Sequence, residues 1–372
     1  MSPGRFLILG GYGQTGALIA RYLLAESDVE ILLAGRNLDK AQTLASRLNA
    51  DFETQRVQGI SVDASCQENL IEALQAVDLL IVASSTAQYA SAVAVAALQA
   101  GVDYLDVQYS QDKLRALKTM AADIEAAGLC FITEAGFHPG LPAALVRYVS
   151  QCFDRLDAAH VSSVIKVDWR ALSLSPETLE EFVREIQDYD SRFYKGARWR
   201  KARMAGMLDY RVVDFGSPFG RQYVVPMMFD EMLAIPEMFP SLDETGFYIS
   251  GFNWFVDGFV FPLSAIALQL TPRAVGPMAH LLRFGLDRFS RPPYGVVLKV
   301  EARGEKDGDL REVELYLRHP DGYAFTAIPV VACLLQYMDG RADKPGLWMM
   351  GHLVEPNRLL QDMQRMGVQL VG

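Results

Sequence analysis

Arg5-Phe-Leu-Ile-Leu-Gly10-Gly-Tyr-Gly-Gln-Thr-Gly16-Ala-Leu-Ile-Ala-Arg-Tyr-Leu-Leu24 decides the fold. The apolar run from Arg5 to Gly10 reads as a short strand. Ala17 to Leu24 carries apolar residues at helical spacing, and Glu30-Ile-Leu-Leu-Ala34 reads as a second strand. Strand, glycine-rich turn, helix and strand follow one another as in a βαβ unit of about thirty residues. The glycines have separate tasks. Gly11 permits the tight turn, Gly13 lets a pyrophosphate come close to the backbone, and Gly16 lets the helix pack on the strand. The pyrophosphate then meets the free N–H groups and the positive end of the helix dipole. A dinucleotide site over Gly10, Gly11, Gly13, Gln14, Thr15 and Gly16 is therefore expected.

The end of the second strand refines the cofactor. An NAD(H) site places Asp or Glu about 20 residues on, against the ribose 2′-hydroxyl. Here the chain reads Ala34-Gly35-Arg36-Asn37, with no acid. Gly35 leaves room for a 2′-phosphate and Arg36 offers it a guanidinium fork, so NADP(H) is expected ahead of NAD(H).

Further out, strands are expected at Arg56–Val62, Asp78–Ala83, Val102–Val107 and Leu129–Thr133, with helices at Tyr89–Ala100 and Asp112–Ala127. Strands alternating with helices imply an α/β, Rossmann-type doubly wound parallel sheet. Its ligands lie beyond the carboxyl ends of the strands. Those ends bring Asp63 and Ala64 to an adenine, and Ser84, Ser85 and Thr86, Asp106 to Tyr109 and Glu134 to Gly140 to the chemistry.

The chain has 372 residues, 51% apolar and 22% charged, which excludes a disordered chain and a small disulfide scaffold. A formal charge of −10 argues against broad binding to nucleic acid or anionic membrane. The cysteines, Cys66, Cys130, Cys152 and Cys333, form no C-x-x-C pair, which suits reduced thiols in the cytoplasm. No histidine spacing supports a metal site, and no signal peptide is read at the N-terminus. Phe247 to Leu270 is apolar but broken by Gly251, Asn253, Asp257, Gly258 and Pro262, so no integral membrane segment is expected. Asp214-Phe-Gly216 mimics a kinase metal motif, but no H-R-D loop accompanies it.

The first 145 residues resemble the saccharopine dehydrogenase (reductase) family. The resemblance rests on Gly11-x-Gly13-x-x-Gly16, Ala34-Gly-Arg36, Asp63 with its following helix, Ala97-Leu-Gln-Ala-Gly-Val-Asp-Tyr-Leu-Asp106 and Ala135-Gly-Phe-His-Pro-Gly-Leu-Pro142. It continues in the tail at Lys344-Pro-Gly-Leu-Trp348 and a last helix. The resemblance implies an NADP(H) domain over 1–140, an inserted α+β domain with a large mixed or antiparallel sheet over 141–325, and a segment 326–372 returning to the first. It implies hydride transfer at a C–N bond of an amino-acid-like substrate, with Asp106 and Tyr109 lining its site, and a homodimer. Phe137-His138 stands where the family commonly has Leu-Asp before Pro-Gly, which removes an expected partner for a cationic amine.

Candidate proton donors are His138, which titrates near neutral pH, and Tyr109, which with Lys113 matches the Y-x-x-x-K acid pair of short-chain dehydrogenases. In the second domain, Ser175-Pro-Glu-Thr-Leu-Glu-Glu opens an expected long helix, with acids early and a basic, aromatic run from Arg192 to Arg203 late, matching a helix dipole. Strands are expected at Ala159–Trp169, Phe247–Val260, Gly295–Ala302 and Glu312–Arg318. The methionines and aromatics of 205–270 suit plain core, an apolar pocket or an intersubunit sheet. The expected function is an NADP(H)-dependent oxidoreductase of a small-molecule substrate. The alternatives are a reductase of C=O or C=C in an apolar substrate, or a non-catalytic NADP(H) sensor.

Overall fold

The computed structural model describes residues 4–84, 87–172, 176–185, 189–203 and 209–372. Ser85 and Thr86, assigned above to the cofactor, lie outside these residues, as do Ser175, Met204 and Met207. The chain forms two compact units: Met1–Ala144 with Tyr323–Val368, and Leu145–Gly322 with Gln369–Gly372.

The first unit alternates strand and helix: β1 (Arg5–Leu9), α1 (Gln14–Glu26), β2 (Glu30–Gly35), α2 (Leu38–Asp51), β3 (Val57–Ser61), α3 (Gln67–Leu74), β4 (Leu79–Val82), α4 (Ala90–Ala100), β5 (Asp103–Asp106), α5 (Gln111–Ala126) and β6 (Cys130–Thr133). The strands lie parallel in the order β3-β2-β1-β4-β5-β6, and a late strand joins beyond β6. Strand residues Phe6 to Leu9 and Leu79 to Val82 are all buried, as a parallel sheet covered on both faces requires. The order reverses between β1 and β4, so the ends of these strands open a crevice.

In the second unit, α6 (Leu141–Ser150) leads out of the first. β7 (Arg155–Lys166), α7 (Pro176–Glu185), β8 (Arg192–Lys195), β9 (Trp199–Lys201), β10 (Arg211–Asp214), β11 (Arg221–Pro226), α8 (Ile235–Met238), β12 (Glu244–Ser250), α9 (Phe261–Leu270), α10 (Val275–Phe289), β13 (Gly295–Lys306) and β14 (Asp309–His319) follow. The chain then runs through α11 (Gly322–Met338), β15 (Gly346–Met349), α12 (Met350–Leu353), α13 (Pro356–Arg365) and β16 (Gln369–Val371). β15 is the seventh strand of the parallel sheet, paired to β6. The second sheet is mixed: β12 and β7 run parallel while β7–β13, β13–β14, β10–β11 and β11–β12 run antiparallel.

Three sequence expectations change here. Phe247–Val260 is not one strand: β12 stops at Ser250, and the chain turns helical. Asn253 Oδ1 accepts from the N–H groups of Phe255 and Val256 at 3.1 and 3.0 Å and starts that helix, so one of the polar breaks in the run is a helix cap. The basic run from Arg192 is not helical either. β8 and β9 form a hairpin over Gly196 and Ala197, whose φ values of 64° and 54° make the mirror-image turn that twisted hairpins favour. Finally, Gln369–Val371 does not return to the first unit but pairs with β14 of the second. Among the described residues, no helix is long and apolar enough to cross a membrane.

Candidate cofactor and active site

Gly10 follows β1 with φ +82°, a conformation that side chains resist, and a Cβ there would stand 2.7 Å from that of Ser84. The Gly10 and Gly11 N–H groups donate to Ala34 O at 2.8 and 3.1 Å and tie the turn to the end of β2. A Cβ on Gly11 would meet Ile8 O at 2.8 Å, and one on Gly16 would meet Gly10 O at 2.4 Å. These three glycines are therefore demanded by the chain's own packing. Gly13 is different. It caps α1 without a side chain, it is exposed, and a Cβ there would touch only Gly10 O, at 3.1 Å. Gln14 is exposed and Thr15 partly so, and the first turn of α1 holds no acid. The amide groups and the dipole of α1 are left for an anion to complete.

Gly35, at the end of β2, lies under the Tyr12 ring: a Cβ there would come within 2.5 Å of the ring carbon Cε1. The Tyr12 hydroxyl accepts from the Asn37 N–H at 3.1 Å, and Asn37 Oδ1 caps α2 by accepting from the Lys40 N–H at 2.9 Å. Arg36 is exposed between these two fixed points. Tyr12 was not singled out in the sequence, although its place between Gly11 and Gly13 points it at the same ground. Asp63 is committed locally. Its carboxylate accepts from Ser65 N and Oγ at 2.9 and 2.7 Å, and these bonds, with a smaller contribution from Arg36, hold its pKa below the usual range. Ala64 is buried beside it, and the Ser84 carbonyl accepts from the Gln108 side chain.

The ends of β5 and β6 carry a buried ionic cluster. Asp106 and Lys113 are both 0% exposed at the side chain, with Nζ 2.6 Å from Oδ1. Asp106 Oδ2 accepts from Thr133 Oγ1 at 2.8 Å, and Oδ1 also accepts from the N–H groups of Gln108 and Glu134 at 3.2 and 3.3 Å. Lys113 Nζ donates as well to the Gln108 carbonyl. Asp106 thus ties the strand ends together and is shut away from a substrate, which corrects its assignment to the substrate site. Lys113 Nζ is committed to Asp106 and the Gln108 carbonyl. Tyr109 itself is half-buried just beyond β5.

Glu134 is buried in the left-handed conformation, φ 56°, and begins a turn closed at Gly140. There φ is +120° and a Cβ would stand 2.6 Å from Gly136 O. The His138 ring lies 3.8 Å from that of Phe137, which stacks on Phe325. Burial pushes the His138 pKa down to about 3, which favours the neutral imidazole.

The model of the saccharopine dehydrogenase NADP binding domain matches residues 6–130, about a third of the chain. Residues 6–130 belong to that family of domains. Apo histidine-tagged saccharopine dehydrogenase (L-Glu forming) from Saccharomyces cerevisiae is similar over 99% of this chain and 100% of that one. The TM-score is 0.69 and the identity 14%, which shows a shared fold. Two glutamyl-tRNA reductases of Actinobacillus pleuropneumoniae, serotypes 3 and 7, are each 32% identical over 77 residues. That stretch is 21% of this chain and only 17% of those curated relatives.

The residues present fit the ligand of a saccharopine dehydrogenase NADP-binding domain. Of the turn between Gly10 and Gly16, Gly13 is the position left open at the start of α1, and Arg36 is the only charged side chain between β2 and α2. A separate cavity of about 920 Å³ opens in the second unit. His160, Arg211, Glu244, Tyr248, Glu301 and Arg303 are among its lining. Lys195 and His160 both approach Glu244, at 3.3 and 3.5 Å, and hydrogen bonds to them hold its pKa down at about 2. Phe193, Lys195, Arg200 and Arg203 of the basic, aromatic run, which could also hold a substrate carboxylate or phosphate, form part of its wall, while the contributions of β7, β12, β13 and β14 leave no local signal in the sequence.

Proposed function

We propose that the protein is an NADP(H)-dependent oxidoreductase that transfers hydride at a C–N bond of a small amino-acid-like substrate. The observation that carries this reading is the glycine cradle, whose one open position is Gly13 and whose neighbouring strand ends in an acid-free loop bearing Arg36. The Gly13 N–H is held by the Gly10 carbonyl at 2.9 Å, so the amides of Gln14 and Thr15 would hold the pyrophosphate and Arg36 the 2′-phosphate. Asp63 and Ala64 would flank the adenine, and Ser84 the nicotinamide side. NADP(H) bound there supplies or accepts the hydride. The shared fold with the yeast saccharopine dehydrogenase supports the C–N chemistry.

In this reading the Asp106–Lys113 pair positions the strand ends, and neutral His138 orients a ligand by hydrogen bonding. Tyr109 exchanges a proton with the substrate. The demand on Tyr109 depends on the bond reduced. A protonated imine already carries its proton, whereas a ketone must receive one as its oxygen gains charge. Tyr109→Phe should therefore lower kcat less than about tenfold on an imine formed from an amino acid and a 2-oxo acid, and about 10²–10⁴-fold on a ketone. Turnover of ketones or enones alone would replace the C–N reading. Tight NADPH binding with no turnover on any of these substrates would favour the sensor.

The second unit is assigned the substrate and a homodimer contact, which sedimentation equilibrium tests by its mass. The cytoplasm is the proposed location. It suits four free cysteines, of which Cys130 is buried with its thiol pushed up to about 12 by burial.

A further inference from the structure

The helical layer of the second unit carries an apolar surface that nothing in the site above uses. Trp254 is 71% exposed, Phe259 51%, Ile266 59%, Leu270 81% and Phe284 54%. These side chains form one surface. Phe259 and Phe284 both contact the Phe255 ring, at 5.4 and 6.0 Å between centroids, and Trp254 meets Phe289 at 5.0 Å. Ile266 and Leu270, four residues apart, extend the exposed apolar surface along α9. An outward apolar stripe on a helix is a liability in water unless something covers it.

Charge identifies the cover. The exposed arginines Arg273, Arg288 and Arg291 border the layer in sequence, at the start of α10, at its last turn and just past its end. None of the three has an ion-pair partner among the described residues. The nearby acids are withdrawn. Asp257 turns back to accept from the Phe252 N–H at 2.9 Å, and Asp287 is held by Arg283 at 2.7 Å. A second copy applying the same surface would offer these arginines no free carboxylate from Asp257 or Asp287. An aromatic and aliphatic surface with free arginines at its edge is instead complementary to an anionic lipid interface.

We propose that this layer docks the protein on an anionic bilayer surface, with Trp254, Phe259, Ile266 and Leu270 entering the headgroup boundary and the three arginines pairing with lipid phosphates. The docking runs against a net charge of −10, so it is local and does not depend on the function proposed above.

Flotation of the full-length protein with vesicles of phosphatidylcholine, alone or mixed with phosphatidylserine, tests it. Binding is expected only to the mixed vesicles, falling with salt and accompanied by a blue shift of tryptophan emission that Trp254→Phe abolishes. Arg288→Glu with Arg291→Glu should weaken binding at least about thirtyfold. Phe259→Ser with Leu270→Ser should remove it, with circular dichroism showing both variants folded. Absence of binding to mixed vesicles overturns the proposal. So does binding that both folded variants retain, or apolar variants that change only the sedimenting mass, which would assign the layer to a second copy.

Discussion

The turn over Gly10–Gly16 and the loop ends around Asp106 and Glu134 lie at the carboxyl ends of strands in one sheet, yet they are made in opposite ways. The turn is shaped by missing side chains, within seven consecutive residues. The Asp106 cluster is shaped by charges, and its partners Gln108, Lys113, Thr133 and Glu134 come from two strand ends and a helix. One surface should fail on gaining a methyl group and be indifferent to charge. The other should fail on losing a charge and tolerate a change of size.

The largest effect should come from the cluster. Lys113→Met removes one member of a buried pair and leaves the Asp106 carboxylate uncompensated, at an expected cost of about 3–5 kcal/mol in denaturant unfolding. Adding Asp106→Asn should restore most of it, since the amide oxygen can still accept from the two backbone N–H groups while its NH2 donates to the Thr133 hydroxyl, which can accept. If the double variant is no more stable than Lys113→Met, the lost interaction is packing of the lysine stem, and the contrast with the turn weakens.

Next is the turn. Gly16→Ala puts a methyl 2.4 Å from Gly10 O and 2.9 Å from Gly11 Cα, backbone atoms with no flexible side chain to yield. An expected cost of about 2–3 kcal/mol follows, together with loss of NADPH binding in a fluorescence titration. Gly13→Ala separates stability from binding. Its methyl meets only Gly10 O at 3.1 Å, so unfolding should shift by less than about 1 kcal/mol. NADPH affinity should nevertheless fall at least about tenfold, because the methyl occupies the face left for phosphate.

The same contrast explains what could be read from sequence. Gly11, Gly13 and Gly16 act through spacing, and spacing is visible in a linear chain. The strand ends of the parallel sheet were equally plain because each strand is a short run bounded by turns. Lys113 could be read only as a partner for Tyr109, because nothing local reveals that Asp106 lies 2.6 Å from it once β5 and α5 pack. His138 looked titratable because its burial comes from long-range packing. The hairpin over Gly196 did leave a local mark, a glycine inside the basic run, which the ordered acids and bases around it masked.

His138 gives a pH dependence of definite sign. Its folded pKa, about 3, lies below its unfolded value near 6.5. Between the two, the unfolded chain binds a proton that the folded chain refuses. This contribution is complete above pH 6.5 and is lost as pH falls from there towards 3, at ~1.4 kcal/mol per pH unit. Unfolding free energies measured at pH 6.5 and 5 should differ by about 2 kcal/mol more in the parent than in His138→Asn. Equal slopes would mean that the ring is hydrated and can act as an acid after all.

The smallest effect sharpens the turn rather than breaking it. Arg36→Ala should lower NADPH affinity by about 10–100-fold and leave NADH affinity unchanged, because only the 2′-phosphate needs the guanidinium. Tyr12→Phe keeps the ring over Gly35 but deletes the acceptor for the Asn37 N–H. That hydrogen bond anchors the loop on which Arg36 stands, so its loss should cost NADPH about 3–10-fold, the equivalent of ~1 kcal/mol. The discriminating reading is the pair of variants together. If Tyr12 acts by positioning Arg36, Tyr12→Phe should have no further effect in the Arg36→Ala background. Additive losses would instead mean that the Tyr12 hydroxyl meets the cofactor directly, making it a contact residue of the glycine turn.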